Sequence, residues 1–410
     1  MASVSDKIIR LNAFQEVSVS VCSPSEIVSV ELIDGSAEIF GVEMIKNAVR
    51  TFSSSFAVHT SSGCSLKFIG APAGIRTQST NSVIYDIHKN LQDSRERAFK
   101  DGKLGPIVLF TGPTDVGKST ITRSLLNYAV RCNTQPIFID LDVGQSSISL
   151  PGTVGILPVD CPGDLVKGYC EQKLSVYFFG HKSPGFNMLL YFELINKLSV
   201  TMYNRLEVSP KISSSGTIID TCGWITGQGY LAILHAARSF QVSTVFVIED
   251  RELYANLRQE LPTATVTFLN KLDGVTVRSK AFRTNKRKEL IQEYFYGADR
   301  ILNSYLFEIE YRDFRIIRIC NTVNKISQYM YDEPHKYLDI KNVPLDHLMI
   351  NQILAISYAS TVEEVITTSV LGFICVKDID FENRILKVLS PQPGPLPNNL
   401  LIAGDIFYET

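Results

Sequence analysis

The sequence predicts an α/β chain in three parts: a central domain on a mainly parallel sheet, an antiparallel β domain before it and a small α/β domain after it. Three observations predict this. From Glu16 to about Tyr85, apolar and polar residues alternate with a period of two. From Pro106, short continuous apolar runs give way to helical patterns, as buried parallel strands feeding helices do. After Tyr296-Gly297 the pattern reverts to strands. A chain of 410 residues has room for two or three domains, and the expected limits are 1–98, 99–301 and 302–410.

Each element follows from local pattern. In the first part Val17, Val19 and Val21 alternate with Ser18 and Ser20, and further runs cover Ile27 to Ile33, Glu38 to Val42, Ala57 to His59 and Leu66 to Ile69. Asp34-Gly35 and Ser62-Gly63 supply turns between them. Ile87 to Lys100 is charged and helix-forming, a connector. Ile107 to Phe110 reads as the first buried strand, followed by a glycine-bearing turn and a helical pattern through Val130. Ile137 to Leu141, Thr217 to Ile219, Val245 to Ile248 and Thr265 to Leu269 are further buried strands, with a helix over Gly229 to Ser239. The last part carries strands at Leu306 to Tyr311, Ile316 to Ile319, Val370 to Val376, Ile385 to Leu389 and Leu400 to Ile402, the last after a turn with Pro391, Pro393, Pro395 and Pro397.

Composition narrows the classes. Forty Lys and Arg oppose 42 Asp and Glu, a net charge of −2, which excludes a globally basic nucleic-acid coat and a polyanionic tail but leaves room for a local basic groove. The eight cysteines (Cys22, Cys64, Cys132, Cys161, Cys170, Cys222, Cys320, Cys375) form no Cys-x-x-Cys pair and read as reduced packing residues, not as a zinc site or disulfide framework. Met1 to Asn12 lacks the apolar run of a signal peptide, and no stretch approaches the roughly 20 apolar residues of a membrane span. A soluble protein of the cytosol or nucleus is expected, with no membrane partner.

Gly112-Pro113-Thr114-Asp115-Val116-Gly117-Lys118-Ser119-Thr120 contains G-x-x-x-x-G-K-S after a strand and at the opening of a helix. Glycines let successive backbone N–H groups converge on a phosphate at a helix N-terminus, where the dipole adds attraction. Lys118 then reaches the β- and γ-phosphates, and the Ser119 hydroxyl can ligate Mg²⁺. Nucleoside-triphosphate binding is expected.

Two acidic strand ends, Asp140-Leu141-Asp142 and Asp220, belong to the same sheet. A carboxylate there either holds Mg²⁺ or orients the nucleophile, and spacing alone leaves the roles open. Arg278, Lys280, Arg283, Lys286, Arg287 and Lys288 crowd one helical segment. It suits a lid closing over a transferring phosphoryl, with a solvated helix face or a nuclear-import run as alternatives. Trp224, the only tryptophan, follows Asp220-Thr221-Cys222-Gly223 and could stack on a nucleobase or simply fill a core. Asp220-x-x-Gly223 with Asn270-Lys271-Leu272-Asp273 also permits a GTPase reading, but about a hundred residues separate the phosphate loop from Asp220, and the arginine segment would be idle.

Taken together, the Gly112–Thr120 loop, Leu141-Asp142-Val143-Gly144-Gln145, Thr221-Cys222-Gly223-Trp224, Arg278 to Arg283 and Glu293-Tyr294-Phe295-Tyr296-Gly297 resemble one family. It is the eukaryotic RNA 5′-hydroxyl polynucleotide kinases that double as a pre-mRNA cleavage and polyadenylation factor, and the resemblance runs nearly end to end. It implies a central P-loop kinase domain with a mainly parallel sheet, using ATP and Mg²⁺. By the same resemblance Gly112, Thr114, Asp115, Val116, Gly117, Lys118, Ser119 and Thr120 cradle ATP, Ser119 and Asp142 hold the metal, and Asp142 orients or deprotonates the RNA 5′-hydroxyl. Arg278 and Arg283 match the lid arginines, so Lys118, Asp142, Arg278 and Arg283 are the expected catalytic set. Gln145, Trp224 and the Ser183-Pro184-Gly185-Phe186-Asn187 clasp match the grip on the RNA 5′ end, with Ser183 where the family commonly has Thr. Glu16 matches an adenine contact whose basic partner in relatives is replaced near Ser55. The resemblance also implies a nuclear protein that partners the larger subunit of the cleavage factor and the tRNA-splicing endonuclease. The alternative is an ATP-bound, catalytically silent scaffold, as in some fungal relatives.

Overall fold

The structure is a computed structural model that describes residues 6–21, 27–53, 55–69, 74–79, 83–164, 168–169, 173–272, 275, 277–297, 300–323 and 328–409. Cys22, Cys170 and Asp273 lie outside the described residues. None of the six described cysteines forms a disulfide.

The period-two alternation of the N-terminal part produces two antiparallel sheets. One comprises Lys7–Leu11, Cys64–Ile69, Val28–Gly35 and Val49–Phe52, the other Val42–Glu43, Glu38–Ile39, Phe56–Thr60, Gln15–Ser20 and Gly74–Ser79. Val17, Val19, Val30, Leu66 and Phe68 meet between them. The expected run Glu38 to Val42 is instead a tight hairpin, because Phe40 and Gly41 both take left-handed backbone angles (φ 51° and 77°) that reverse the chain.

That hairpin docks on the central helix Lys118–Arg131. Asn127 Nδ2 donates to Phe40 O at 2.7 Å, the Tyr128 hydroxyl and Arg131 both donate to Glu38, and the Arg123 guanidinium lies 4.8 Å above the Phe40 ring. A Cβ on Gly41 would come within 2.9 Å of Ser124 O, so glycine permits this approach.

The central sheet runs, in spatial order, Ser175–Phe178, Thr153–Pro158, Ile137–Asp140, Thr217–Asp220, Ile107–Thr111, Thr244–Ile248 and Thr265–Leu269. The last five are parallel and the first two form an antiparallel edge. Both faces are covered, which is why these strands read as continuous apolar runs. Val108, Phe110, Phe138 and Ile218 pack with Ile87, Leu91 and Leu125 on one face; Leu109, Ile139, Ile219 and Val245 pack with Phe192, Ile233 and Leu257 on the other. The helix Val83–Asp101 thus shares the central core through Ile87 and Leu91, and the expected limit at 98/99 falls inside it.

The C-terminal sheet has the order Tyr305–Glu310, Ile385–Ser390, Val370–Asp380, Gln352–Ser357, Leu400–Phe407, Arg315–Asn321 and Leu338–Asn342. The sequence predicts a small α/β unit here. The described residues from 302 onward form this sheet with short 3-10 turns as their only helical elements. The helix that packs on those turns, Met188–Leu206, comes from the central domain, with Phe192 stacked on Tyr331 at 4.3 Å. Gly180 and Gly404 meet backbone to backbone, and Asp405 N donates to Gly180 O at 2.6 Å. This contact fixes the segment entering the Ser183–Asn187 turn. No described helix is long and apolar enough to cross a membrane.

Candidate active site

The chain leaves strand Ile107–Thr111 for one side of the sheet, at Ile137–Asp140, and later continues on its other side at Thr244–Ile248, so a crevice opens at the carboxyl ends of the parallel strands. Gly112 leaves this strand at φ 150°, where a Cβ would strike Ile248 O at 2.5 Å. Gly117 takes φ 99° at the N-cap of Lys118–Arg131, and no side chain caps that helix end. Backbone N–H groups of the first turn therefore face the loop, with the positive end of the helix dipole behind them. Lys118 is buried and its ammonium donates to Gly112 O (2.9 Å) and Pro113 O (2.7 Å). Ser119 is exposed at the mouth.

Three carboxylates line the opposite wall, and their surroundings separate their roles. Asp140 is fully consumed: its oxygens accept from Asp142 N (2.9 Å), Ser147 N (2.7 Å), Ser147 Oγ (2.9 Å) and Ser146 Oγ (3.3 Å). Burial and the Asp142 charge nevertheless push it up to about 6. Asp142 Oδ1 accepts from Gly144 N (2.9 Å) and Gln145 N (3.0 Å), which holds the turn and leaves Oδ2 open to a ligand. Asp220 sits level with Asp140 and with Phe110 across the sheet. Burial, then the Asp140 charge, push it up to about 7 against the opposing pull of Lys118 and a Ser119 hydrogen bond. Its Oδ1 is buried without a hydrogen-bond partner among the described residues.

These donors fit Mg²⁺ carried with a nucleotide. The described residues hold no cluster of three or more His, Cys, Asp or Glu able to cage a metal alone, and Mg²⁺ characteristically takes one or two carboxylates together with substrate phosphates. Ser119, the orphaned Asp220 oxygen and Asp142 are the groups that would supply that partial shell.

The helix Lys280–Tyr296, the expected lid, is capped by Ser279 Oγ, which accepts from Phe282 N at 3.1 Å. Asp115, left-handed at φ 59°, turns its carboxylate onto this lid: Oδ2 accepts from Arg283 Nη2 at 2.6 Å and from Arg278 N at 2.9 Å. Arg283 is therefore drawn to the phosphate loop. The Arg278 guanidinium is not; it is exposed and lies 5.5 Å above the Phe282 ring of the helix that follows it. Gln145 Nε2 reaches the carbonyl of Arg283 at 3.4 Å.

On the far side of the Asp142 turn, Ser183 precedes a 3-10 turn at Pro184–Phe186. A Cβ on Gly185 would meet Trp224 Cη2 at 3.2 Å, and one on Gly144 would meet Lys182 O at 3.0 Å, so clasp, tryptophan and Asp142 turn are in contact. Gly223 abuts the phosphate loop, where a Cβ would lie 2.4 Å from Thr114 Cγ2. Glu16 stands apart, accepting from Gln78 Nε2 at 2.6 Å. A cavity of about 1290 Å³ joins it and Ser55 to Thr120 at the end of the loop, beneath the docked N-terminal domain.

With that geometry established, comparison decides the family. A model of the mRNA cleavage and polyadenylation factor CLP1 P-loop matches residues 112–297, one of the Pre-mRNA cleavage complex II protein Clp1 matches 302–409, and one of the N-terminal beta-sandwich domain of polyadenylation factor matches 10–98. Protein CLP1 homolog of Anopheles gambiae is 38% identical over 410 residues, covering 97% of this chain and 96% of its own. This chain belongs to the Clp1 family. The Polyribonucleotide 5'-hydroxyl-kinase Clp1 of Homo sapiens is 40% identical over 392 residues, covering 94% of this chain and 92% of its own. A solved wild-type Clp1p–Pcf11p complex shares the fold, with a TM-score of 0.84 and 23% identity over 99% of this chain and 98% of that one.

Within this Clp1-family chain, the residues expected from sequence fall into two groups. Lys118, Ser119, Asp142, Gln145, Arg283, Ser183, Gly185 and Trp224 surround one crevice, and Glu16 lies across the adjoining cavity. Asp220 lies outside the expected set although its place at a strand end is visible in the sequence; its orphaned oxygen and its hydrogen bond with Ser119 separate it from Asp140. The Asn270–Leu272 turn packs its Leu272 side chain 3.0 Å from a Cβ position on Gly117, against the back of the phosphate loop.

Proposed function

We propose that this chain is an ATP-dependent RNA 5′-hydroxyl kinase. The observation that carries the reading is the convergence of Lys118, Ser119, Asp142 and Asp220 on one crevice, with the Gly185–Trp224 contact facing them. Mg²⁺, held by Ser119 with Asp142 and Asp220, would neutralise the triphosphate. Lys118 exchanges the Gly112 and Pro113 carbonyls for phosphate oxygens, Trp224 stacks on the terminal base, and Asp142 orients the 5′-hydroxyl and takes its proton. The hydroxyl oxygen bonds to the γ-phosphorus in line as the bond to the β-phosphate oxygen breaks and ADP leaves. Arg283 and Arg278 neutralise the spreading charge once they turn inward. Glu16 and the cavity around Ser55 receive the adenine. The activity serves nuclear pre-mRNA 3′-end processing and tRNA splicing, beside a larger cleavage-factor subunit and the tRNA-splicing endonuclease.

Transfer of labelled γ-phosphate from ATP to a 5′-hydroxyl RNA oligonucleotide tests the reading, with GTP as the competing donor. Lys118→Ala should weaken ATP binding and transfer together, because one ammonium serves both. The scaffold reading draws on the Asp115–Arg283 pair, which occupies a lid arginine on the protein itself. Tight ATP binding by the wild type without any transfer would establish the scaffold and remove the kinase.

A further inference from the structure

Beside Trp224, the clasp carries a second aromatic that the terminal-base grip does not use. Phe186 follows Gly185 directly and is 69% exposed, unusual for a phenylalanine next to a buried core. Its ring stacks on His181 with centroids 5.5 Å apart and planes 19° from parallel. His181 is in turn fixed from behind: Nδ1 lies 2.8 Å from Asp405 Oδ2, the Phe179 ring meets it edge-on at 5.4 Å, and Arg318 clamps Asp405 at 2.8 Å and donates to Gly404 O at 3.2 Å. One face of the pair is thus backed by the C-terminal sheet while Phe186 faces solvent.

Charge accompanies this platform. Lys182, between His181 and the clasp, lies 3.4 Å from Glu409 Oε1, and Lys288 on the lid lies 3.5 Å from Glu409 Oε2. Both lysines share the one Glu409 carboxylate, so an arriving phosphate must displace it, and pairs this long and partly exposed cost little to break. A flat apolar ring, a rigid support and two ammonium groups beside a terminal-base pocket are what a second nucleotide of a single strand requires.

We infer that Phe186, backed by His181, is the stacking platform for the second base of the RNA, with Lys182 and Lys288 receiving the phosphate between the first and second nucleotides. The inference rests on the RNA 5′-kinase reading and names its minimal substrate: a 5′-hydroxyl strand of two nucleotides. Every base has a π face, so the platform adds affinity for length with little preference for sequence.

The test measures binding by calorimetry and transfer of labelled phosphate, using adenosine 3′-monophosphate and adenylyl di- and trinucleotides on the full chain. In the wild type, affinity should rise about tenfold from one to two nucleotides, in line with one stacked base, and change little from two to three. Phe186→Ala should reduce that gain to less than twofold, and Phe186→Trp should restore it, which a merely structural role for the ring would not do. A wild type with no length gain, or a Phe186→Ala variant that keeps it, overturns the platform. If no substrate is phosphorylated, the kinase reading fails separately; the platform then stands only if the binding gain is present and Phe186→Ala abolishes it, and falls otherwise.

Discussion

Asp142→Asn is expected to lower phosphoryl transfer by about 10²–10⁴-fold while ATP affinity changes less than about threefold. The turn that carries Asp142 supports this separation. Oδ1 accepts from Gly144 N and Gln145 N, and an amide oxygen accepts the same two bonds, so the loop and the neighbouring clasp keep their shape. What disappears is the negative charge and the proton-accepting oxygen at the 5′-hydroxyl; the Mg²⁺ that Asp142 would help to hold keeps Ser119 and Asp220, and the adenine cavity and the Gly112–Thr120 loop are untouched. Filter binding of ATP alongside single-turnover transfer reads the two quantities. Equal loss of both would mean that Asp142 works mainly in holding the nucleotide, and the division of labour with Lys118 would have to be abandoned.

The phosphate loop was the most legible part of this molecule because its chemistry is backbone chemistry. Glycine at 112 and 117 is required by left-handed angles and close approaches, and those requirements leave a fixed spacing in the sequence. The parallel strands were legible for a similar reason, since burial on both faces forces unbroken apolar runs. Elements whose identity depends on partners far along the chain were harder. Met188–Leu206 is buried around most of its circumference between the central and C-terminal sheets, which erases the amphipathic stripe that marks a surface helix. Thr153–Pro158 and Ser175–Phe178 pair antiparallel on an otherwise parallel sheet, and no local residue pattern announces that choice. The carboxylates show the limit most clearly. Asp140 and Asp220 look alike as strand ends, yet one is saturated by Ser146, Ser147 and Asp142 N while the other keeps a buried oxygen unpaired. The Asp115–lid contact spans 168 residues between Asp115 and Arg283 and has no counterpart in local sequence.

Asp220→Asn should abolish transfer and, in the metal-free protein, raise stability at pH 8. Both effects have one cause. Asp220 is held up to about 7 in the folded chain by burial and by the Asp140 charge, against an ordinary value of 3.8. Between those two values the folded state binds more protons than the unfolded state, so stability falls as pH rises through the window and the full cost is present above pH 7. A tenfold change in proton affinity corresponds to about 1.4 kcal/mol, so removing the ionised carboxylate should recover about 2–4 kcal/mol at pH 8 and almost nothing at pH 4, where aspartate and asparagine are both neutral in the fold. In thermal melts with EDTA, the variant should therefore melt several degrees above the wild type at pH 8, and the two curves should converge as pH falls towards 4. Saturating Mg²⁺ and ATP should reverse the order at pH 8, since the wild type then has a cation for the Oδ1 oxygen that the fold leaves unpaired. A gap that is independent of pH, or a wild type already more stable than the variant at pH 8 in EDTA, would show that the fold tolerates the Asp220 charge without a ligand. Asp220 would then lose its place in the metal shell, leaving Ser119 and Asp142 to hold Mg²⁺ alone.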